Sequence, residues 1–342
     1  MEYLTMKRSI VITTIFQPTE AIIALACKQD YHLYVVGDKK TPVNWKYDNV
    51  RYISLQDQEG LKFSLSKQLP YNHYCRKMIG YLAAIHDGAE VIIDTDDDNI
   101  PYEYWGFPDF VNVYDEIASD MGFVNIYQIF TKKHIWPRGL PLSLIHTDFN
   151  LENLIEKKKS RIGIWQALAD EDPDVDAIYR LTDGSECYFE KRAPVVLGKG
   201  TICPFNTQNT IILKELFPLL YLPTYVTFRF TDILRGLIAQ PIMWLYDYHL
   251  GFTGATVVQK RNPHDYFQDF LSEIPMYQYT EQIVSIVNAT ITKSASIESN
   301  LYDAYVALSH ENIVNEQEIA NLEAWLADIQ KIQTEQATAK QV

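Results

Sequence analysis

The chain is poor in the residues that would reveal its chemistry at once. Its four cysteines in 342 residues (Cys27, Cys75, Cys187 and Cys203) are widely spaced and make neither a CxxC pair nor a Cys/His metal pattern. That excludes a disulfide scaffold and a zinc knuckle, and reduced thiols in a cytoplasmic setting are expected. No apolar run approaches the ~20 residues of a membrane span, so no span is expected. Ser9 to Phe16, following Lys7 and Arg8, has the outline of a signal peptide. Gln17-Pro18-Thr19-Glu20 ends that run early and offers no small-residue cleavage site. There is no glycine-rich phosphate loop, no Ser/His/Asp order and no HExxH motif, and there are no internal repeats. Positive charge is short as well: 30 Lys and Arg against 44 Asp and Glu leave a net −14. This balance excludes a general nucleic-acid binder, which needs clustered cations, and a broad electrostatic anchor to anionic lipid.

A hydrophobic share of 47% and an aromatic share of 13% are enough for a well-cored globular protein. The first hundred residues alternate between strand and helix patterns. Ser9 to Ile15, His32 to Val36 and Val50 to Leu55 read as short buried strands. Thr19 is placed to N-cap a helix over Glu20 to Lys28, and a second helix is expected over Asn72 to His86. This alternation predicts an α/β fold, with a mostly parallel sheet flanked by helices and ligands at the carboxyl ends of its strands. From Tyr102 to Asn206 the periodicity weakens, and long active-site loops with short strands are expected there. Lys157-Lys158-Lys159 and Asp170 to Asp176 read as solvated faces. Helices are expected over Ile211 to Leu219, Asp232 to Gln240 and Tyr266 to Ser272, then over Glu281 to Ile291, Ile297 to Leu308 and Glu316 to Gln333. The last carries Ile319, Leu322, Trp325, Leu326, Ile329 and Ile332 on one face. Packing of that face on the main domain is the favoured reading, and a homo-oligomer seam is the alternative. Thr334 to Val342 is expected to fray. The chain thus divides into a main α/β domain over residues 1–275 and a C-terminal helical extension over 276–342.

Glu90-Val91-Ile92-Ile93-Asp94-Thr95-Asp96-Asp97-Asp98-Asn99 is the most informative stretch. Three β-formers lead into four carboxylates, so a buried strand must end in a cleft where that charge finds a cation. On an extended strand end, Asp96 and Asp98 point to one side and can hold Mn²⁺ or Mg²⁺, which takes substrate phosphates as further ligands. Asp97 faces elsewhere and is counted with the donor-binding residues, and Asp94 replaces Asp96 in an alternative register. Asp38, after the second strand, is placed to accept from a nucleobase N–H, with Thr13, Thr14 and Gln17 in the same pocket. Arg76, with Lys77 beside it, is placed to reach a diphosphate. Trp136-Pro137-Arg138-Gly139 offers one guanidinium on rigid backbone, suited to a planar anion. Asp232 is a candidate general base, with helix capping as the competing reading. In Gln259-Lys260-Arg261-Asn262-Pro263-His264-Asp265, Lys260 and Arg261 can grip a diphosphate and His264 can supply a nitrogen to the metal.

Together these segments carry a resemblance. VITTIFQPTEAI, VVGDKKTP, LPYNHYCRKMIGYLAAIHDGAEVIIDTDDDNIP, WPRGLPL and QKRNPHDYFQDFLSEIP resemble the STELLO or DUF288 group of glycosyltransferases. More distantly, the order of an Asp-rich strand end, Arg-Gly-x-Pro, Gly163-Ile164-Trp165 and Lys199-Gly200-Thr201 is similar to the reversibly glycosylated polypeptides, which are UDP-arabinopyranose mutases. The resemblance implies a GT-A-like fold, a UDP-linked or similar sugar donor, and a divalent cation at Asp96 and Asp98. In the mutases the arginine of Arg-Gly-x-Pro is tied to self-glycosylation, and Arg138 is its counterpart. Their acidic pair is reduced here to Thr231-Asp232, which favours transfer to a glycan or other hydroxyl acceptor over mutase chemistry. Plant members of the STELLO group are membrane-anchored, whereas this sequence reads as a free-standing catalytic domain. A self-glycosylating mutase and a non-catalytic nucleotide-sugar-binding scaffold are the alternatives.

Overall fold

The computed structural model describes residues 6–261 and 264–339. Its first half builds β1 (Arg8–Thr13), α1 (Glu20–Ala26), β2 (Tyr31–Val36), β3 (Val50–Ile53), α2 (Leu55–Gly60), α3 (Lys77–His86) and β4 (Val91–Thr95). The strands lie in the order β3-β2-β1-β4, all parallel, with Ile10 paired to both Leu33 and Ile93. Helices cover such a sheet on its faces, which is why β1 and β4 are continuous apolar runs without alternation. Thr19 caps α1 by accepting from the Ile22 N–H, as its position suggests. The helix expected from Asn72 starts later. A 3₁₀ turn over Tyr74–Arg76, capped by His73, precedes α3.

The chain continues through β5 (Asn99–Pro101), β6 (Val111–Ile117), β7 (Gly122–Phe123), α4 (Tyr127–Phe130), β8 (Ile155–Asp170), α5 (Ala177–Thr182), β9 (Val195–Leu197) and β10 (Thr201–Ile202). Then come β11 (Asn209–Leu213), α6 (Thr231–Leu245) and β12 (His249–Gln259). β11 pairs antiparallel with β4 and β8, β8 runs parallel to β12, and β6, β9 and β5 complete a ten-stranded sheet that is mixed beyond β4. The result is an α/β architecture compatible with a GT-A-like fold.

Several expectations need correction here. Ile211 to Leu213 belong to a strand, not a helix, because two neighbouring strands claim their backbone groups; a 3₁₀ stretch over Lys214–Leu220 follows. The region expected to be loops holds the 16-residue β8. Lys157 and Lys158 are exposed on it as anticipated, each paired across to β6 at Asp115 and Glu116. The acidic run is not a solvated face, since Asp170, Asp174 and Asp176 are buried.

The C-terminal region comprises α7 (Tyr266–Thr290), α8 (Ile297–His310) and α9 (Gln317–Ala339). The two helices expected over 266–291 are one, passing through Pro275, so the sequence boundary at 275/276 lies inside α7. On α9, Leu322, Trp325, Ile329 and Ile332 are buried against the chain's own α3, α8 and 3₁₀ segments, while Ile319 and Leu326 are half-buried. Thr334 to Ala339 continue the helix, and Gln336 Nε2 donates to the Ile85 carbonyl at 2.7 Å. Residues 340–342 lie outside the described residues.

Candidate active site

The tip of β4 opens into a cleft of about 200 Å³. Thr13, Tyr74, Asp96, Asp97, Asp98, Arg138, Asp174, Asp232, Gln259, Arg261 and His264 are among its lining residues. The strand stops at Thr95 and the chain turns sharply, with the Asn99 N–H donating to the Asp96 carbonyl. Asp96, Asp97 and Asp98 therefore share a turn, and the alternation expected of an extended strand end does not apply. All three still face the cleft, because a turn fans its side chains outward.

Asp94 does not reach the cleft. It is fully buried between Lys77 Nζ (2.8 Å) and Arg235 Nη1 (2.9 Å), and this removes it as an alternative metal ligand. Lys77 also donates to the Thr95 carbonyl (2.8 Å) and to Asp96 Oδ1 (2.9 Å). Burial works against its ammonium, yet Asp94 and Asp96 hold the pKa above the ordinary lysine value. Asp96 is 36% exposed at its side chain; desolvation, opposed by Lys77 and reinforced by Asp98, pushes it up to about 7. Desolvation also raises Asp97, to about 6, although Thr14 Oγ1 donates to it at 2.5 Å. Asp98 is raised by burial and by Asp97, and accepts from Gln259 Nε2 at 3.3 Å.

These contacts test whether a divalent cation fits. Of the four carboxylates, Asp94 and Asp96 lie at ion-pair distance from the buried cations Lys77 and Arg235, while Asp97 and Asp98 have only the neutral partners Thr14 and Gln259 at hydrogen-bond distance. Among the described residues no three His, Cys, Asp or Glu side chains are grouped so as to hold a metal ion by themselves. An open half-site of this kind suits Mg²⁺ or Mn²⁺, which keep most of their shell for water and phosphate. The residues fit.

The second wall is built from buried ion pairs. Arg138, 5% exposed, grips Asp174 with Nε and Nη2 (both 2.8 Å) and Asp232 with Nη1 and Nη2 (3.0 and 2.9 Å). The planar anions it meets are the protein's own. Gly139 makes this placement feasible: its φ is +94°, and a Cβ there would lie 2.6 Å from Ile233 Cγ2 of α6. The guanidinium pulls Asp174 far below the usual carboxylate range against the penalty of burial. Asn206 Nδ2 adds a bond to Asp174 at 2.7 Å. Asp232 lies in the first turn of α6, facing Tyr74 and Thr207.

Most of the other expected residues lie outside the cleft lining. Arg76 is buried, with its guanidinium on Gln58 and the Leu69 carbonyl, so it supports the α2–α3 packing and does not line the cleft. Gln17 donates to Asn44, and Asp38 accepts from the Lys39 N–H within its own turn and from the His73 N–H ahead of α3. Thr14 sits just behind, tied to Asp97 and, through its carbonyl, to Thr41. Lys260, 60% exposed, pairs with Glu171 and lines a neighbouring hollow that shares Asp97 and Asp98. His264 lines the main cleft with Nδ1 on Asp269 at 3.1 Å, and Asn262 and Pro263 lie outside the described residues. Asp174 and Arg229 escaped the sequence reading. Asp174 is hidden in an acidic run, where only the interleaved Pro173, Val175 and Ala177 hint at burial.

Residues 229–339 match the family model of STELLO glycosyltransferases. Over 94% of its length the chain is 26% identical to the Arabidopsis thaliana protein named "Probable glycosyltransferase STELLO1" and 25% identical to "Probable glycosyltransferase STELLO2". It covers 44% of each, so it spans less than half the length of these relatives. Among the described residues, no helix is long and apolar enough to cross a membrane. Over most of its length the chain is therefore similar to the STELLO glycosyltransferases.

Proposed function

We propose that the protein is a metal-dependent glycosyltransferase that moves a sugar from a nucleotide-sugar donor, UDP-linked by resemblance, to a glycan or other hydroxyl acceptor. The observation that carries this reading is the carboxylate tip Asp96-Asp97-Asp98, only partly compensated by Lys77, set in one cleft with Arg138, Asp174, Asp232 and Arg261. Asp96 and Asp98 would hold Mn²⁺ or Mg²⁺, with His264 within the same cleft. When bound, the cation would supply Lewis-acid neutralisation of the departing diphosphate. Thr13 would face the base and Arg261 the phosphates, with Thr14, Gln17 and Asp38 behind the cleft lining. Arg138 and Asp232 would face the sugar. As paired, both oxygens of Asp232 accept from Arg138, so the pair must loosen before Asp232 can take a proton from an acceptor hydroxyl. A retaining transfer needs no such base and would use the pair as it stands. The same commitment of the Arg138 guanidinium, held protonated by two carboxylates, counts against its glycosylation. A cytoplasmic site of action belongs to the proposal, supported by four free cysteines.

Titration calorimetry with UDP, GDP and CMP sugars, with and without Mn²⁺, tests the reading. Binding of one donor class should strengthen at least about tenfold with Mn²⁺, and joint replacement Asp96→Ala and Asp98→Ala should remove that gain. Metal-independent binding, or no binding of any nucleotide sugar, would sink it.

A further inference from the structure

Two guanidiniums in the cleft have donors to spare. Arg229, in the turn that enters α6, is 9% exposed at its side chain. Its Nε donates to Glu273 Oε1 at 3.0 Å and its Nη2 to the Val175 carbonyl at 3.4 Å, while Nη1 donates to no described residue. Arg261, just beyond β12, is equally buried. Its Nε lies 2.8 Å from Asp172 Oδ2 without hydrogen-bond alignment, and its Nη2 reaches Gln259 Oε1 at 3.4 Å. Burial, then the positive charges of Arg180 and Arg229, lower the Arg261 pKa, so like charges are crowded here. The nearby anions are already shared: Asp172 with Arg180, Asp174 between Arg138 and, at 3.9 Å, Arg229, Glu273 with Arg229, and Asp269 with His264. Buried cations with idle N–H groups call for a further anion, and planar guanidiniums match phosphate oxygens two at a time. Arg261 also acts on Asp98 electrostatically, so an anion held here would abut the carboxylate tip.

We propose that Arg229 and Arg261 form a guanidinium pair that takes the diphosphate of the donor, and that Glu273 of α7 is the positioning residue that holds Arg229 in place. The inference rests on the nucleotide-sugar reading and assigns to it two residues, Arg229 and Glu273, outside the first grip. Glu273 is fully buried and does not line the cleft. Its second oxygen accepts from the Ala177 N–H (2.7 Å) and the Tyr277 hydroxyl (2.6 Å), so α5 and α7 together fix the carboxylate that fixes Arg229. Ser272 adds a backbone tie, its Oγ accepting from the Arg229 N–H at 3.1 Å. The C-terminal helices thus contribute to the donor site from behind.

Calorimetry with inorganic pyrophosphate and with UDP, both with Mn²⁺, tests this on the full chain. R229K and R261K should each weaken both ligands about tenfold, because a lysine loses the two-pronged fit. E273Q should weaken them less, and E273Q/R229K should bind no worse than R229K alone, since Glu273 acts through Arg229. Unchanged affinity in R229K and R261K, with melting curves like wild type, overturns the pair. Additive losses in the double variant overturn the positioning role, and should E273Q not fold, the two lysine variants still decide the pair. Wild-type binding of pyrophosphate without UDP leaves the pair standing and removes the nucleotide reading beneath it. Binding of neither removes both.

Discussion

Lys77 sets the geometry of the acidic tip from below, without any exposure to solvent. One ammonium bonds Asp94, the Thr95 carbonyl and Asp96, and so fixes where β4 ends and where Asp96 begins to face the cleft. Burying a charge is costly unless it is paired, and removing one partner leaves the other stranded. Lys77→Met should therefore lower stability by about 3–5 kcal/mol, seen as a lower urea midpoint at an unchanged slope. A loss under about 1 kcal/mol would mean that Arg235 alone compensates Asp94 and that Asp96 needs no partner. At this scale the sequence was half legible. The carboxylate cluster, Arg138 and Asp232 stand out by composition, and all reach one cleft. Whether a nearby cation serves the ligand or the fold was not legible: Arg76 and Lys77 adjoin, yet one turns to Gln58 and the other to Asp94, by the rotation of a single helical step. Asp174 was misjudged because charge runs read as solvated, and no local signal announces that Arg138 waits 36 positions away.

Among the elements, those whose pattern is set by their own neighbours in sequence were the readable ones. The apolar face of α9 repeats at helical spacing, and Leu322, Trp325, Ile329 and Ile332 are buried accordingly. β11 defeated the same reasoning because Ile211-Ile212-Leu213 is a short apolar run that either period accommodates, and only the flanking β4 and β8 decide between them. β8 was missed because its exposed first half is lysine-rich while its second half is buried, a change of surroundings along one strand. The burial of α9 has a measurable weight. Trp325 is fully buried and its Nε1 donates to the Pro218 carbonyl at 2.9 Å. Trp325→Ala should cost about 3–5 kcal/mol in chemical denaturation, from lost contacts and an orphaned carbonyl. Leu326→Ala, at a half-buried position, should cost markedly less. Equal losses at the two positions would show that α9 is not seated by this face.

At the scale of the whole molecule, the division suggested by the sequence at 275/276 need not be a division of stability. Buried polar contacts cross it repeatedly. Glu318 accepts from the Thr224 and Tyr225 N–H groups and the Tyr221 hydroxyl, and Asp328 accepts from the Ser64 and Leu65 N–H groups at 2.9 Å. Asn300 Nδ2 donates to the Tyr246 hydroxyl, and Glu273 of α7 accepts from Arg229 of the cleft lining from behind. Separating the extension would strand these carboxylates and expose the faces of α3 and α6 on which it lies, both costly. The chain should therefore unfold as one cooperative unit. Native-state hydrogen exchange measures this directly: backbone amides around Leu322 to Ile329 should open with the same free energy and denaturant dependence as those of β1 and β4. If the α9 amides instead follow a separate isotherm of lower free energy, the extension is an independent module. Arg229 would then depend on a part of the protein that comes and goes, and donor affinity should fall in mild denaturant before the sheet unfolds. A single isotherm ties the integrity of the anion site to the integrity of the fold.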